Sequence, residues 1–162
     1  MINPIDLKAQ SQQKSKENLK YFKWLKVNSP KNLDQIIIDL NHEVFSHIDC
    51  LECAHCCKTL GPRLMVKDID RIARYLKMKP DTFIDKFLKI DEDGDYVFQS
   101  MPCPFLGPDN YCSVYRERPK ACADYPHTGK PGFQKRLMLT YQNTFTCPAA
   151  YEIVEKLKRI II

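Results

Sequence analysis

The 162-residue sequence is 44% hydrophobic and 28% charged, the composition of a globular chain with a core of ordinary size. Its 25 basic and 20 acidic residues leave a formal net charge of +5, too mild by itself to argue for nucleic acid as a partner. No apolar run approaches the roughly 20 residues that span a bilayer, and Met1–Gln10 lacks the basic start and apolar stretch of a signal peptide. The expectation is therefore a cytoplasmic protein with no membrane partner, whose thiols stay reduced.

Residues 1–28 are polar and lysine-rich, and read as a basic helical extension ahead of a cysteine-cluster metal-binding domain over residues 29–162. The apolar spacing predicts a helix over Leu19–Val27, with a frayed or helical polar lead-in from Ala9 to Asn18. Lys14, Lys16, Lys20, Lys23 and Lys26 form its basic face, for which plain solvation outweighs an anionic partner. Ser29-Pro30 has the chemistry of a helix start. From there Leu33, Ile36, Ile37, Leu40, Val44 and Ile48 recur at three- and four-residue spacing, which makes an amphipathic helix that delivers the chain to Cys50. His42 and His47 lie on it, and a lone helical histidine is more often a surface or core group than a ligand.

Gly61-Pro62 breaks the chain, and a short strand is expected over Arg63–Val66. Helices follow over Asp68–Lys77 and from Pro80-Asp81 onward, with Phe83, Ile84, Phe87 and Leu88 apolar. The acidic run Asp91–Asp95 lacks the ligand series of a calcium loop and reads as a polar turn. Tyr96 and Phe98 suit a short strand. Gly107–Asn110 is a turn between Phe105-Leu106 and Tyr111, a tight hairpin that would bring Cys103 near Cys112. Pro119 starts a short helix carrying Cys122. Thr128–Gly132 is loop, Phe133–Thr146 has both alternating and helical spacing, and Cys147-Pro148 opens a helix that runs to the last residues.

Four of the eight cysteines crowd into Cys50-Leu51-Glu52-Cys53-Ala54-His55-Cys56-Cys57. Two-residue gaps let successive thiolates turn back onto one ion or cluster, and scattered core cysteines would seldom produce the gap repeatedly. Cys56 and Cys57 are a separate problem, because neighbouring side chains diverge in helix and strand alike. The pair bridges toward two metals, or one thiol is spare, or the two form a vicinal disulfide. Cys103, Cys112, Cys122 and Cys147 supply further thiolates, and His127, inside the second block, is the histidine best placed to join them. Cys50, Cys53 and Cys56 have the spacing of three corners of a 4Fe–4S cluster. Zinc is the alternative, in two four-sulfur sites or a three-cysteine site completed by His127; magnesium and calcium are disfavoured by so many thiolates. Arg116 and Arg118 could offset the thiolates' negative charge, or lie in solvent.

Cys50 to Cys57, followed by Cys103-Pro104-Phe105-Leu106, Cys112-Ser113-Val114-Tyr115, Arg118-Pro119, Cys122 and Tyr125-Pro126, resembles the YkgJ-like cysteine-cluster proteins, the CxxCxxCC zinc- or iron-chelating domain. The likeness spans Cys50 to Pro148 and leaves the N-terminal helices outside. It implies metal chelation through these cysteines; descriptions of such proteins range from zinc or iron chelation to Fe–S protein and flagellin lysine N-methylase. Relatives often carry glycine where this chain has Ala54-His55.

A methyltransferase ordinarily needs a glycine-rich strand–turn–helix, and none occurs here. A thiol–disulfide oxidoreductase lacks the usual strand–helix alternation around its cysteine pair. A structural zinc module for protein or nucleic-acid interaction is more credible, with the first helix and Lys156, Lys158 and Arg159 as its surface, although no reading helix follows the cysteines. The sequence thus predicts a small, mainly α, cysteine-rich metal-binding domain with short β strands or a hairpin and helices at both ends. It would bind zinc or iron, as ions or an Fe–S cluster, for metal handling or electron transfer.

Overall fold

The computed structural model describes residues 4–162, so the first three positions of the expected extension lie outside the described residues. Along the chain come α1 (Pro4–Gln13), α2 (Ser15–Val27), α3 (Leu33–Phe45), α4 (Cys50–Cys53), α5 (His55–Thr59), α6 (Val66–Tyr75), α7 (Pro80–Phe87), β1 (Leu88–Ile90), β2 (Tyr96–Phe98), α8 (Lys120–Asp124), α9 (Leu137–Asn143) and α10 (Pro148–Ile160). Tight 3-10 turns occupy Tyr115–Glu117 and Phe133–Arg136. The protein is mainly helical with a two-stranded antiparallel sheet. Among the described residues no helix is long and apolar enough to cross a membrane. The chain divides into two compact units, a helical one built from the residues up to Asp49 together with Pro126–Ile162, and a cysteine unit, Cys50–Tyr125.

In the helical unit, Leu33, Ile37, Leu40 and Val44 of α3 are buried at helical spacing, and α3 packs on α10, whose buried stripe is Ala150, Ile153, Val154 and Leu157. The polar lead-in to α2 is helical, because α1 buries Leu7 and the hydroxyl of buried Ser11 donates to the Thr144 carbonyl at 2.6 Å. Lys14 stays at the surface, its side chain 41% exposed, but solvation is not its whole role. It pairs with Glu155 at 2.5 Å, while Lys16, Lys20, Lys23 and Lys26 are exposed.

The start of α3 falls later than Ser29-Pro30. The Ser29 hydroxyl donates back to the Leu25 carbonyl at 2.5 Å, closing α2 instead of capping α3. Phe133–Thr146 resolves as helical: Phe133, Leu137, Thr140 and Thr144 are buried at intervals of four, three and four, which a strand would put on both faces. The Asp34 carboxylate accepts from the amides of Gly132 (2.7 Å) and Phe133 (2.9 Å), fixing the loop before that segment.

The cysteine unit has its own core of Leu64, Ile69, Ile72, Ala73, Phe83, Leu88, Phe98, Phe105 and Val114. Asp68 makes α6 begin at Val66, since its Oδ2 accepts from the Met65 amide at 3.0 Å. That leaves no strand over Arg63–Val66; Leu64 makes a single bridge to Tyr96. Leu88 leaves α7 to start β1, which pairs with β2 in the register Leu88↔Phe98, Lys89↔Val97, Ile90↔Tyr96. The acidic run closes this hairpin as a polar turn. Asp91 Oδ1 accepts from the amides of Asp93 (3.0 Å) and Asp95 (2.9 Å), and Gly94 takes φ +82°.

Candidate metal centre

The second cysteine block is held by an aromatic plug. Phe105, two residues after Cys103, lies 5.0 Å from Phe87, 5.7 Å from Phe98 and 6.2 Å from Phe83 by ring centroids. Burying a side chain of that size contributes about 1.5–3 kcal/mol, and here it anchors the chain on either side of Cys103. The expected hairpin is present: Leu106 bridges Cys112, the Gly107 amide donates to the Tyr111 carbonyl at 2.8 Å, and the Ser113 amide to Phe105 at 2.9 Å. Asn110 turns it in the left-handed region at φ +64°, which asparagine tolerates better than most residues.

Two bonds dock this hairpin on the first block. Asn110 Nδ2 donates to the Glu52 carbonyl at 3.1 Å, and the Cys103 amide to the Cys57 carbonyl at 2.8 Å. The first block is itself two helical turns, α4 and α5, broken at buried Ala54, whose φ of +45° is left-handed. Glycine is the residue that adopts such a φ without strain. Downstream of Ala54, Cys56 Sγ and Cys57 Sγ lie 4.0 Å apart.

Charge shows which thiols lie within reach of one another. The thiolate charge of Cys57 bears on Cys103, Cys112 and Cys122, and those of Cys103 and Cys112 bear on Cys122 as well. Burial, reinforced by these charges, pushes Cys122 up to about 12 and Cys103 up to about 11, and raises Cys112. Backbone amides oppose the rise at Cys103 and Cys112. Cys57 moves the other way, down to about 7, chiefly through its hydrogen bond with Cys56 and secondarily through the charge of Lys58, against burial. Cys57 thus lies within electrostatic reach of the second block, a proximity that the sequence argument about adjacent side chains does not give.

Arg118 brings a guanidinium to the second block. It stacks 3.9 Å over the Tyr115 ring, donates from Nη1 to the Tyr115 carbonyl at 2.6 Å, and its charge counters the rise at both Cys112 and Cys122. Arg116 is exposed to solvent. Cys122 rides on α8, which starts at Pro119 as expected.

The remaining candidates sit as follows. Cys50 and Cys53 bound α4, Cys50 exposed and Cys53 half-buried; His55, half-buried, opens α5. Cys147 and His127 belong to the helical unit. Cys147 is buried and caps α10, its Sγ accepting from the Ala150 amide at 3.4 Å. His127 takes φ +68°, and its carbonyl accepts from Arg136 Nε at 3.2 Å. His42 is exposed, and His47 contacts the Glu43 carbonyl (3.1 Å) and Glu152 Oε1 (3.0 Å).

Among the described residues, no three histidine, cysteine or carboxylate side chains stand ready-made as a coordination shell. The donor chemistry nonetheless suits a soft or borderline cation: none of the eight cysteines is in a disulfide, and four of them feel one another's charge beside one guanidinium. Asp68, which sequence reasoning passed over as a helix residue, lies against this region. Its Oδ1 accepts from the amide of Lys120, two residues before Cys122, at 3.1 Å. The available signal was its place at the N-terminus of a predicted helix, where a carboxylate caps.

Residues 49–148 match the family described as CxxCxxCC, "putative zinc- or iron-chelating domain". The chain belongs to this CxxCxxCC family. Metal binding is thus the general function that membership supports, with zinc or iron as the metals of the family's description. The matched span takes in all eight cysteines and His127, and leaves α1 to α3 outside it. Neither a curated protein nor a solved structure matches the chain.

Proposed function

We propose that this CxxCxxCC protein chelates one zinc or iron ion through Cys57, Cys103, Cys112 and Cys122, and that it does so in the reducing cytoplasm. The observation that carries the reading is the mutual charge coupling of these four thiols within one compact unit. Four thiolates around a divalent ion leave two negative charges, and Arg118 stands where it offsets part of them. Cys57 is the natural first ligand, because its thiolate forms near neutral pH. Cys103 and Cys122 hold their protons at that pH, so binding releases them and affinity rises with pH.

A bound ion would supply a closed thiolate centre. With zinc that centre is structural, or a store for metal handling or a module presented to a protein partner; with iron it can carry one electron. A second reading, a bridged or Fe–S centre that also recruits Cys56, is supported by the 4.0 Å between Cys56 and Cys57 Sγ. Anaerobic purification with metal analysis and a visible spectrum separates the two. One zinc or iron per chain without acid-labile sulfide supports the four-thiolate site. Brown protein with sulfide and several irons supports the second reading. Protein that binds neither metal under reducing conditions defeats both.

A further inference from the structure

One buried carboxylate caps two helices. The Asp68 side chain is 3% exposed. Its Oδ2 accepts from the Met65 amide at the head of α6, and its Oδ1 from the Lys120 amide at the head of α8. At the head of α8 the N-cap residue is Pro119, which makes no side-chain cap hydrogen bond. Arg71, one turn along α6, donates from Nη2 to Asp68 Oδ1 at 2.7 Å and to the Arg118 carbonyl at 2.9 Å. The α6 surface thus grips the chain at Arg118 and again at Lys120, across the extended Arg118-Pro119 step. Cys122 follows within one turn, its amide bonded to the Pro119 carbonyl at 2.9 Å.

We propose that Asp68 and Arg71 are positioning residues of the metal centre, a clamp that fixes both the Cys122 thiol and the Arg118 cation relative to the other thiols. This rests on the four-thiolate reading above. The clamp touches no thiol. Arg71 pairs with Asp68 at 2.7 Å and with Glu117 at 3.7 Å, and the clamp acts through backbone placement at Arg118 and Lys120. Partners that orient ligands in this indirect way typically change metal affinity by about 10- to 100-fold when removed.

Cobalt(II) titration of the full chain, apo and reduced, tests it. The near-ultraviolet sulfur-to-cobalt band grows with each Co–S bond, a quantity that general destabilisation does not alter for the folded, loaded protein. In Asp68→Ala, the band per bound cobalt should fall to that of Cys122→Ser, with affinity about 10- to 100-fold weaker. Arg71→Met leaves Asp68 its two amide partners, keeping α6 and α8 capped, and should weaken cobalt binding in the same direction; it also serves if Asp68→Ala fails to fold. Wild-type band intensity and affinity in Arg71→Met, or in a folded Asp68→Ala, overturns the clamp even if the melting temperature drops. A wild-type protein that shows no sulfur-to-cobalt band overturns the four-thiolate reading itself, and the clamp with it.

Discussion

Cys57 and Cys103 are joined twice over. The Cys103 amide donates to the Cys57 carbonyl at 2.8 Å, and the Cys57 thiolate charge helps hold the Cys103 thiol protonated. Residues 46 positions apart in sequence are thereby joined by backbone and coupled by side-chain charge.

Serine substitution should therefore divide the cysteines differently from their spacing. Cys57→Ser, Cys103→Ser, Cys112→Ser and Cys122→Ser should each reduce bound zinc or iron to a small fraction of the wild-type content, measured by elemental analysis after reducing gel filtration. Cys147→Ser should keep it, because serine replaces one N-cap acceptor of α10 with a better one. Full metal retention in Cys57→Ser would refute the assignment.

The metal-free protein should be most stable near pH 9. Cys57 has its folded value lowered from 9.0 to about 7, so its contribution is full above pH 9 and is lost as pH falls through 7. Cys103 and Cys122 are raised from 9.0 to about 11 and about 12, so theirs is full below pH 9 and is lost as pH rises toward those values. Differential scanning calorimetry under reductant should show a melting temperature falling on both sides. Cys57→Ser should flatten the acid side and Cys122→Ser the alkaline side; an unchanged alkaline slope in Cys122→Ser would contradict the burial argument.

Arg118→Met should remove the guanidinium without much loss of packing volume. The Cys112 and Cys122 thiols should then ionise at still higher pH, and metal binding at neutral pH should weaken. Peptide-mapped alkylation against pH reads the first effect directly. Arg118→Lys should restore charge but not the stack on Tyr115, and lie between the two.

Phe105→Ala should cost about 3–5 kcal/mol, since the ring is shared by three other phenylalanines. Hydrogen exchange should localise the loss to the cysteine unit. Adding metal should recover part of it by mass action. Loss spread evenly over α3 and α10 would show that the two units do not unfold separately.

At Ala54 the competing magnitudes nearly cancel. Glycine relieves about 1–2 kcal/mol of left-handed strain but gives up a buried methyl worth about 0.8 kcal/mol and adds unfolded-state freedom. Ala54→Gly should stay within about 1 kcal/mol of wild type, whereas Ala54→Val, β-branched at φ +45°, should melt markedly lower.

Periodicity carried most of the fold. The stripe from Leu33 to Val44, the helix after Pro148 and the hairpin around Gly107–Asn110 are local patterns, and each appears where the residues put it. The errors arose where one short-range side-chain bond outweighed another local signal. Ser29 bonds back to Leu25, and Asp68 moves the start of α6 to Val66, which removes a strand. At the site, the thiol-rich chemistry was legible, as was a role for Arg118. The proximity of Cys57 to the second block was not, because it depends on the turn broken at Ala54 and on the Cys103 amide, neither of which leaves a trace in spacing.

The helical unit is discontinuous in sequence, and this fixes an order of events during synthesis. When Tyr125 has emerged from the ribosome, every residue of the cysteine unit is available, while the buried stripe of α3 still awaits α10. During that interval the thiols can meet metal before the helices on either side of them in sequence have met each other.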